Sequence, residues 1–252
     1  MKAFLLAAGH GTRLRPLTDA VPKCLLPVQG TAMLQIWLEL CRQHGIDEVL
    51  INIHSHAEKV RQFLRHCKEG PQVRVVEEKE LLGSAGTLLA NREWLGSDPV
   101  FFVFYADVLH RVDLTRMLEL HEATNPAATL AVYRVPDPRR CGIVEIAEDA
   151  TIIDFVEKPT SPRSDLAFSG LLIGTPLLLN AIPRKRPADI GFDVLPRLVG
   201  RMRAHTVSEY LIDIGTPENY QKAQTTWPGP AVISQSREKA TEVSHFFANR
   251  RP

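Results

Sequence analysis

Neither sign of charge dominates this sequence. Thirty Lys and Arg stand against 29 Asp and Glu in 252 residues, a net charge of +1. So even a balance leaves no bulk field for a nucleic-acid backbone or an anionic membrane, and any anion must be held locally by a few placed groups. Cysteine is scarce. Cys24, Cys41, Cys67 and Cys141 stand far apart, with no CxxC pair and no His at metal-ligand spacing. That argues against a zinc site or a disulfide framework and fits reduced thiols in a cytoplasmic protein. No apolar stretch approaches the ~18 residues needed to cross a bilayer. The run FLLAA near the start imitates a secretory signal, but it is followed closely by Arg13 and Arg15. It is also shorter than the roughly 7–15 residues of such a core, and reads as a first strand. Two familiar phosphate loops are missing as well. The third glycine of GxGxxG is Leu14, which argues against a dinucleotide-dependent oxidoreductase, and GxxxxGK[ST] occurs nowhere. There is no internal repeat, no low-complexity block and no evident Ser–His–Asp or Cys–His arrangement.

What is present is an ordinary core-forming composition, 44% apolar and 23% charged, with strand and helix patterns in alternation. Residues 2–7, 48–53, 73–78 and 100–106 read as strands. Residues 32–44, 56–67 and 84–91 read as helices; in the first, Leu34, Trp37, Leu38 and Cys41 recur at helical spacing. This order predicts an α/β fold with a parallel sheet covered by helices on both faces. Beyond Asp107 a helix at 113–122, a strand at 128–134 and shorter strands at 143–147, 151–157 and 167–173 predict an antiparallel or mixed extension. A helix over 191–201 and a last helix from Pro217 complete a single domain, 1–227. The tail 228–252 is polar apart from Val243, Phe246 and Phe247, whose spacing would let them dock on the body or on a second copy of the chain.

In open α/β sheets ligands lie beyond the carboxyl ends of the strands, and several of these ends carry unusual chemistry. AAGHGTRLRP combines Gly9 and Gly11, which let backbone N–H groups approach an anion, with Arg13 and Arg15; Lys23 follows. In EEKELLGSAGTLL, Gly83 and Gly86 flank a turn into a helix, open enough for a flat ring or simply a tight connection. VFFVFYADVL ends an apolar run in Asp107, and YLIDIGTPENY does so in Asp213; a desolvated carboxylate needs a partner, whether an ion pair, a helix cap or a metal. Two such aspartates can share one Mg²⁺, which takes one or two carboxylates and completes its shell with water and phosphates. Glu157 and Lys158 precede Pro159, so that Lys158 either anchors a second anion or pairs with its neighbour on the surface. His10, His54 and His56 read as loop or capping residues.

Taken in order, these stretches resemble the sugar-nucleotide pyrophosphorylases, the nucleoside-triphosphate sugar-1-phosphate nucleotidyltransferases. The matching segments are LAAGHGTRLRPLT…PKCLLPV at 6–28, LLGSAGTL at 81–88, Asp107, the EKP of 157–159 and DIGTP at 213–217. The resemblance covers about residues 1–225. It implies a Rossmann-like three-layer α/β/α nucleotidyltransferase fold with a central, mostly parallel mixed sheet. A nucleotide-binding half would span 1–110 and a sugar-phosphate-binding half 111–227. Ala7, Ala8, Gly9, Gly11, Thr12, Arg13, Lys23, Gly83 and Gly86 would bind the nucleotide. Glu157, Lys158 and Gly170 would bind the sugar phosphate, and Asp107 and Asp213 would bind Mg²⁺. Arg13, Lys23 and Lys158 would be the catalytic cations. Three positions depart from the pattern: Ala106 stands where glycine is usual, Leu81 where proline is usual, and Phe168-Ser169-Gly170 where Asn-Ala-Gly is common. No hexapeptide repeats follow, so the acetyltransferase β-helix of some relatives is not expected.

The reaction the resemblance implies is attack of a sugar 1-phosphate oxygen on the α-phosphorus of a nucleoside triphosphate, with release of pyrophosphate. A phosphate monoester has its second pKa near ~6 and is mostly ionised at neutral pH, so no strong general base is needed. The last segment looks most like guanylyltransferases acting on mannose or manno-heptose phosphates, which favours GTP. The alternatives are a uridylyltransferase for amino sugars such as N-acetylmuramate 1-phosphate, a thymidylyl- or cytidylyltransferase, or a sugar-nucleotide sensor without turnover. The expected partners are the two small substrates and, as an open option, a second copy of the chain; neither nucleic acid nor membrane is expected.

Overall fold

Strand β1 (Lys2–Leu6) is apolar after Lys2 because it lies in mid-sheet, between two parallel neighbours. The computed structural model describes residues 1–67 and 70–230. Val243, Phe246 and Phe247 lie outside the described residues. After β1 come α1 (Leu17–Ala20), the short strands β2 (Pro27–Val28) and β3 (Thr31–Ala32), α2 (Met33–Gln43), β4 (Glu48–Ile53), α3 (Ala57–His66), β5 (Gln72–Glu77), α4 (Ser84–Ala90) and β6 (Phe101–Tyr105). The second half contains β7 (Val108–His110), α5 (Leu114–Thr124), β8 (Ala128–Arg134), β9 (Gly142–Ile146), β10 (Ile152–Glu157), β11 (Leu166–Gly174), α6 (Pro176–Asn180), β12 (Met202–Thr206), β13 (Leu211–Asp213) and α7 (Pro217–Thr226).

One nine-stranded sheet runs through both halves. Its first part is the parallel set β5–β4–β1–β6. Leu6 is level with Asn52 on β4 and with Tyr105 on β6, so three strands end side by side. Strand β11 then runs antiparallel to β6, β8 antiparallel to β11, and β12 parallel to β8; β9 and β10 add at the other end of β11. Alternate side chains divide the core between the two faces. Leu5, Val49, Ile51, Phe102 and Phe104 pack with Leu34, Trp37, Leu38 and Cys41 of α2 and with Leu114 and Met117 of α5. Phe4, Leu50, Phe101 and Val103 pack on the opposite face with Ala85, Leu88 and Leu95. Both layers are close to dry, and each such side chain contributes roughly 1.5–3 kcal/mol by leaving water. The three-layer α/β/α expectation holds.

Local chemistry overrides the sequence pattern in three places. The helix expected over 191–201 is a π-helical turn, Ile190–Val194, followed by a 3₁₀ turn, Leu195–Leu198. Pro196 has no N–H to continue an α-helix. Asp107 does not lead from β6 into a helix. It sits in a tight turn that leads to β7, a strand not expected from sequence. Finally, HTVSEYLIDIG is split: β12 joins the main sheet, while β13 pairs antiparallel with β7 in a separate two-stranded ribbon. That ribbon brings the Asp107 and Asp213 segments together: Asp213 is level with Val108, and Ile214 N–H donates to the Asp107 carbonyl at 2.9 Å.

Candidate active site

The carboxyl ends of the parallel strands surround a cavity of about 250 Å³. Ala7, Ala8, Gly9, Lys23, Gly83 and Asp107 line it, together with Asn52, Glu78, Leu81, Ser84 and Tyr105. Cys24 is also part of the wall; burial pushes its thiol up to about 12, so it behaves there as a small apolar group. Gly11, Thr12, Arg13 and Gly86 are not among the lining residues. Gly11 adopts φ +64° and its carbonyl accepts from Thr18 Oγ1 at 2.8 Å, which turns the loop into the 3₁₀ segment Thr12–Leu14. Gly86 meets Leu82 and the backbone of Ala188 instead of open space. Gly83 and Ser84 line the cavity in this loop, and Gly86 does not.

At the edge of that cavity, charge gathers at one point. Lys23 Nζ lies 2.6 Å from Asp107 Oδ2. A Cβ placed on Gly215 would stand 2.7 Å from Asp213 Oδ1, 2.9 Å from Arg13 Nη2 and 3.1 Å from Lys23 Nζ. Arg13, Lys23 and Asp213 thus meet around Gly215, and Lys23 brings Asp107 into the same cluster. Burial, and then the neighbouring Asp107, push the Asp213 carboxyl above the usual carboxylate range; Lys23, the Gly215 N–H at 2.6 Å and Arg13 pull the other way. The donor set suits a hard divalent cation. It offers two carboxylates, mutually repelling and partly desolvated, with an ammonium supplying part of the missing positive charge.

The side that holds Glu157, Lys158 and Gly170 is built differently. Glu157 is largely buried at the end of β10, and Cβ atoms on Gly142 or Gly191 would collide with its carboxylate. Burial raises its pKa; Lys158 opposes this and Asp189 adds to it. Lys158 has φ +50° and donates its N–H to the Cys141 carbonyl. Its Nζ is 3.9 Å from Glu157 Oε1 and 5.4 Å from the centre of the exposed Phe192 ring. The Lys158 side chain is 56% exposed, so it stands at the rim rather than in the cavity. Gly170 is buried in a bulge of β11, φ +85°, where a Cβ would press on the Tyr105 ring at 2.9 Å. It shapes the wall through Tyr105. The sides belong to one cleft. The Cys141 thiol, raised mainly by burial, feels Asp213, Glu157 and Lys158 together, and the buried Tyr105 hydroxyl feels Asp189, Glu157 and Asp107.

A family model for nucleotidyl transferases matches residues 2–228. The chain belongs to that family. The nucleotidyl transferase is 32% identical to a mannose-1-phosphate guanylyltransferase of Arabidopsis thaliana over 99% of its own length and 70% of that relative's. It is equally 32% identical to a UTP–glucose-1-phosphate uridylyltransferase of Synechocystis, over 88% of this chain. It spans about 62% of the latter's length. A crystal structure of a UDP-glucose pyrophosphorylase with UDP-glucose superposes with a TM-score of 0.77 over 90% of this chain and 97% of that one, at 24% identity, a likeness of fold. The resemblance read from the motifs to sugar-1-phosphate nucleotidyltransferases, an enzyme class, agrees with these matches.

Several residues of this transferase's cleft had no motif to announce them. Asn52 accepts from Ala7 N–H at 2.8 Å and donates to Glu78 Oε1 at 2.8 Å and to Thr87 Oγ1 at 3.0 Å. Thr87 Oγ1 donates to Glu78 Oε1 at 2.5 Å, and Leu82 N–H to Glu78 Oε2 at 3.0 Å. This buried network ties the glycine loop after β1 to the loop before α4. The signal was the polar Asn52 in the otherwise apolar run VLINI, since a buried amide must find partners. The family departures are also explained locally. Ala106 is buried with its carbonyl accepting from Trp37 Nε1, and Leu81 lines the cavity. Phe168 packs edge-on against Tyr105. His54 Nδ1 contacts the Glu78 carbonyl at 2.7 Å, a loop role; His56 begins α3 without a side-chain cap.

Proposed function

We propose that this chain transfers a nucleotidyl group from a nucleoside triphosphate, GTP in the first instance, to a sugar 1-phosphate of the mannose or manno-heptose type. The observation that carries this reading is the meeting of Arg13, Lys23, Asp107 and Asp213 around Gly215 at the mouth of a cavity of about 250 Å³. An oxygen of the sugar phosphate attacks the α-phosphorus, the bond to the β-phosphate oxygen breaks, and pyrophosphate leaves. The main obstacle is repulsion between two polyanions. Arg13 and Lys23 neutralise the triphosphate from one side, and Lys158 draws the sugar phosphate from the other. Ala7, Ala8, Gly9, Gly11 and Thr12 bring backbone close to the phosphates, with Gly83 and Ser84 beside the base. Glu157 accepts hydrogen bonds from sugar hydroxyls. Asp107 and Asp213 would hold Mg²⁺, which would supply charge neutralisation to the phosphates when bound. Orientation alone contributes roughly 7–11 kcal/mol in favourable cases.

A uridylyltransferase is the second reading, favoured by the equal identity to the Synechocystis relative. No helix among the described residues is long and apolar enough to cross a membrane, and all four cysteines are free; we place the reaction in the cytoplasm. The test is a panel of nucleoside triphosphates against sugar 1-phosphates, read as pyrophosphate release with and without Mg²⁺. Release with GTP and mannose 1-phosphate is expected. Release with UTP alone supports the second reading, and none with any pair overturns both.

A further inference from the structure

A second concave site lies behind the loop that precedes α4. It has a volume of about 390 Å³, with Gly86, Leu89 and Ala90 as its small and apolar lining and Arg92, Arg184, Lys185 and Arg186 as its charges. Lys185 is already paired with Asp193 at 2.6 Å. Arg92, Arg184 and Arg186 make no ion pair or side-chain hydrogen bond among the described residues. Three unneutralised guanidinium groups around one hollow, in a chain whose net charge is only +1, repel one another unless an anion joins them. Guanidinium forks match phosphate oxygens two at a time. The hollow is the size of a small metabolite. We propose that this groove binds a small organic bisphosphate, outside the nucleotidyl-transfer cleft.

The position gives such an anion a mechanical connection to the cleft. Arg184–Arg186 lead directly into Ala188, whose carbonyl accepts from Ala85 N–H at 3.0 Å and Gly86 N–H at 3.1 Å, and whose N–H donates to Leu82 at 2.9 Å. The same strap carries Asp189, which accepts from Ser84 Oγ at 2.9 Å, and Gly191, packed on Glu157. An anion that draws Arg184 and Arg186 toward Arg92 therefore bears on Gly83 and Ser84 at one end and on Glu157 at the other.

The probe is fructose 1,6-bisphosphate, titrated calorimetrically into the full chain in magnesium-free buffer at low ionic strength. Three variants run beside the unmodified protein: R92Q/R184Q/R186Q, the single R92E, and K23A as the cleft control. The unmodified protein and K23A are expected to bind with similar affinity, and both groove variants at least about tenfold more weakly. The groove variants should keep their pyrophosphate release when no bisphosphate is present. Absence of binding to the unmodified protein overturns the proposal. So does equal binding by the groove variants, or loss in K23A with retention in them, which puts the anion in the cleft.

Discussion

The two halves of the sheet form their shares of the cleft by different means. In the first half, parallel strands finish level with one another, Leu6 beside Asn52 and Tyr105. Whatever follows each strand is delivered to one line, and a single hydrogen-bonded network, Ala7–Asn52–Glu78–Thr87, locks the loops together. In the second half, the antiparallel strands and the β7–β13 ribbon deliver groups from several directions. Glu157 is held by glycines remote in sequence, Gly142 and Gly191, and Lys158 stands exposed at the rim. Parallel topology prebuilds a site by register. The mixed half must assemble one from contacts, which leaves more freedom to fit different acceptors.

The sharpest way to break that contrast is at the point where the halves meet. Asp107→Ala or Asp213→Ala is expected to lower kcat by about a hundredfold or more, since each removes a carboxylate that would hold the cation facing the triphosphate. The protein should stay folded by circular dichroism. Wild-type turnover in either variant would remove both residues from the chemistry. Next in size, Gly83→Ala forces a side chain onto φ +80° against the Ala188 backbone. It should cost roughly 1–3 kcal/mol in denaturant unfolding and weaken nucleotide binding. Gly191→Ala meets the Glu157 carboxylate first and Asp189 Oδ1 at 3.3 Å, and should instead raise KM for the sugar phosphate about tenfold, with KM for the nucleotide unchanged. If both variants shift both constants alike, the halves are not separable. Asn52→Ala leaves the Glu78 carboxylate and the Ala7 N–H short of a partner, and should raise nucleotide KM while costing about 1–3 kcal/mol of stability.

The smallest expected effect concerns Glu157. Its folded pKa is raised, by burial first. The stability contributed by its proton is present below the ordinary carboxylate range and lost as pH rises through the folded value. Glu157→Gln is therefore expected to raise Tm by about 2 °C at neutral pH and to leave it unchanged in acid. A lowered Tm at neutral pH would show that the carboxylate is a structural ion-pair partner of Lys158.

Much of this was readable in the chain. Alternating apolar runs locate β1, β4, β5 and β6 to within about two residues; Asp107 and Asp213 stand out as charges that end apolar runs, and Arg13 and Lys23 as cations that accompany a glycine loop. The 191–201 segment misled because its apolar spacing suits a helix, while Pro196 breaks the hydrogen bonding into π and 3₁₀ turns. Strand β7 escaped because three residues carry no period.

Composition, periodicity and motif order were enough to determine the layered α/β fold and the stretches that carry charge, because burial patterns and loop glycines are local properties of the chain. Only the tertiary structure decided which of those stretches meet. Gly215 lies at the centre of the charge cluster, Glu157 is wedged between Gly142 and Gly191, and Asn52 joins two loops. Those facts depend on which strands lie side by side and in what register, and no local stretch of sequence encodes that adjacency.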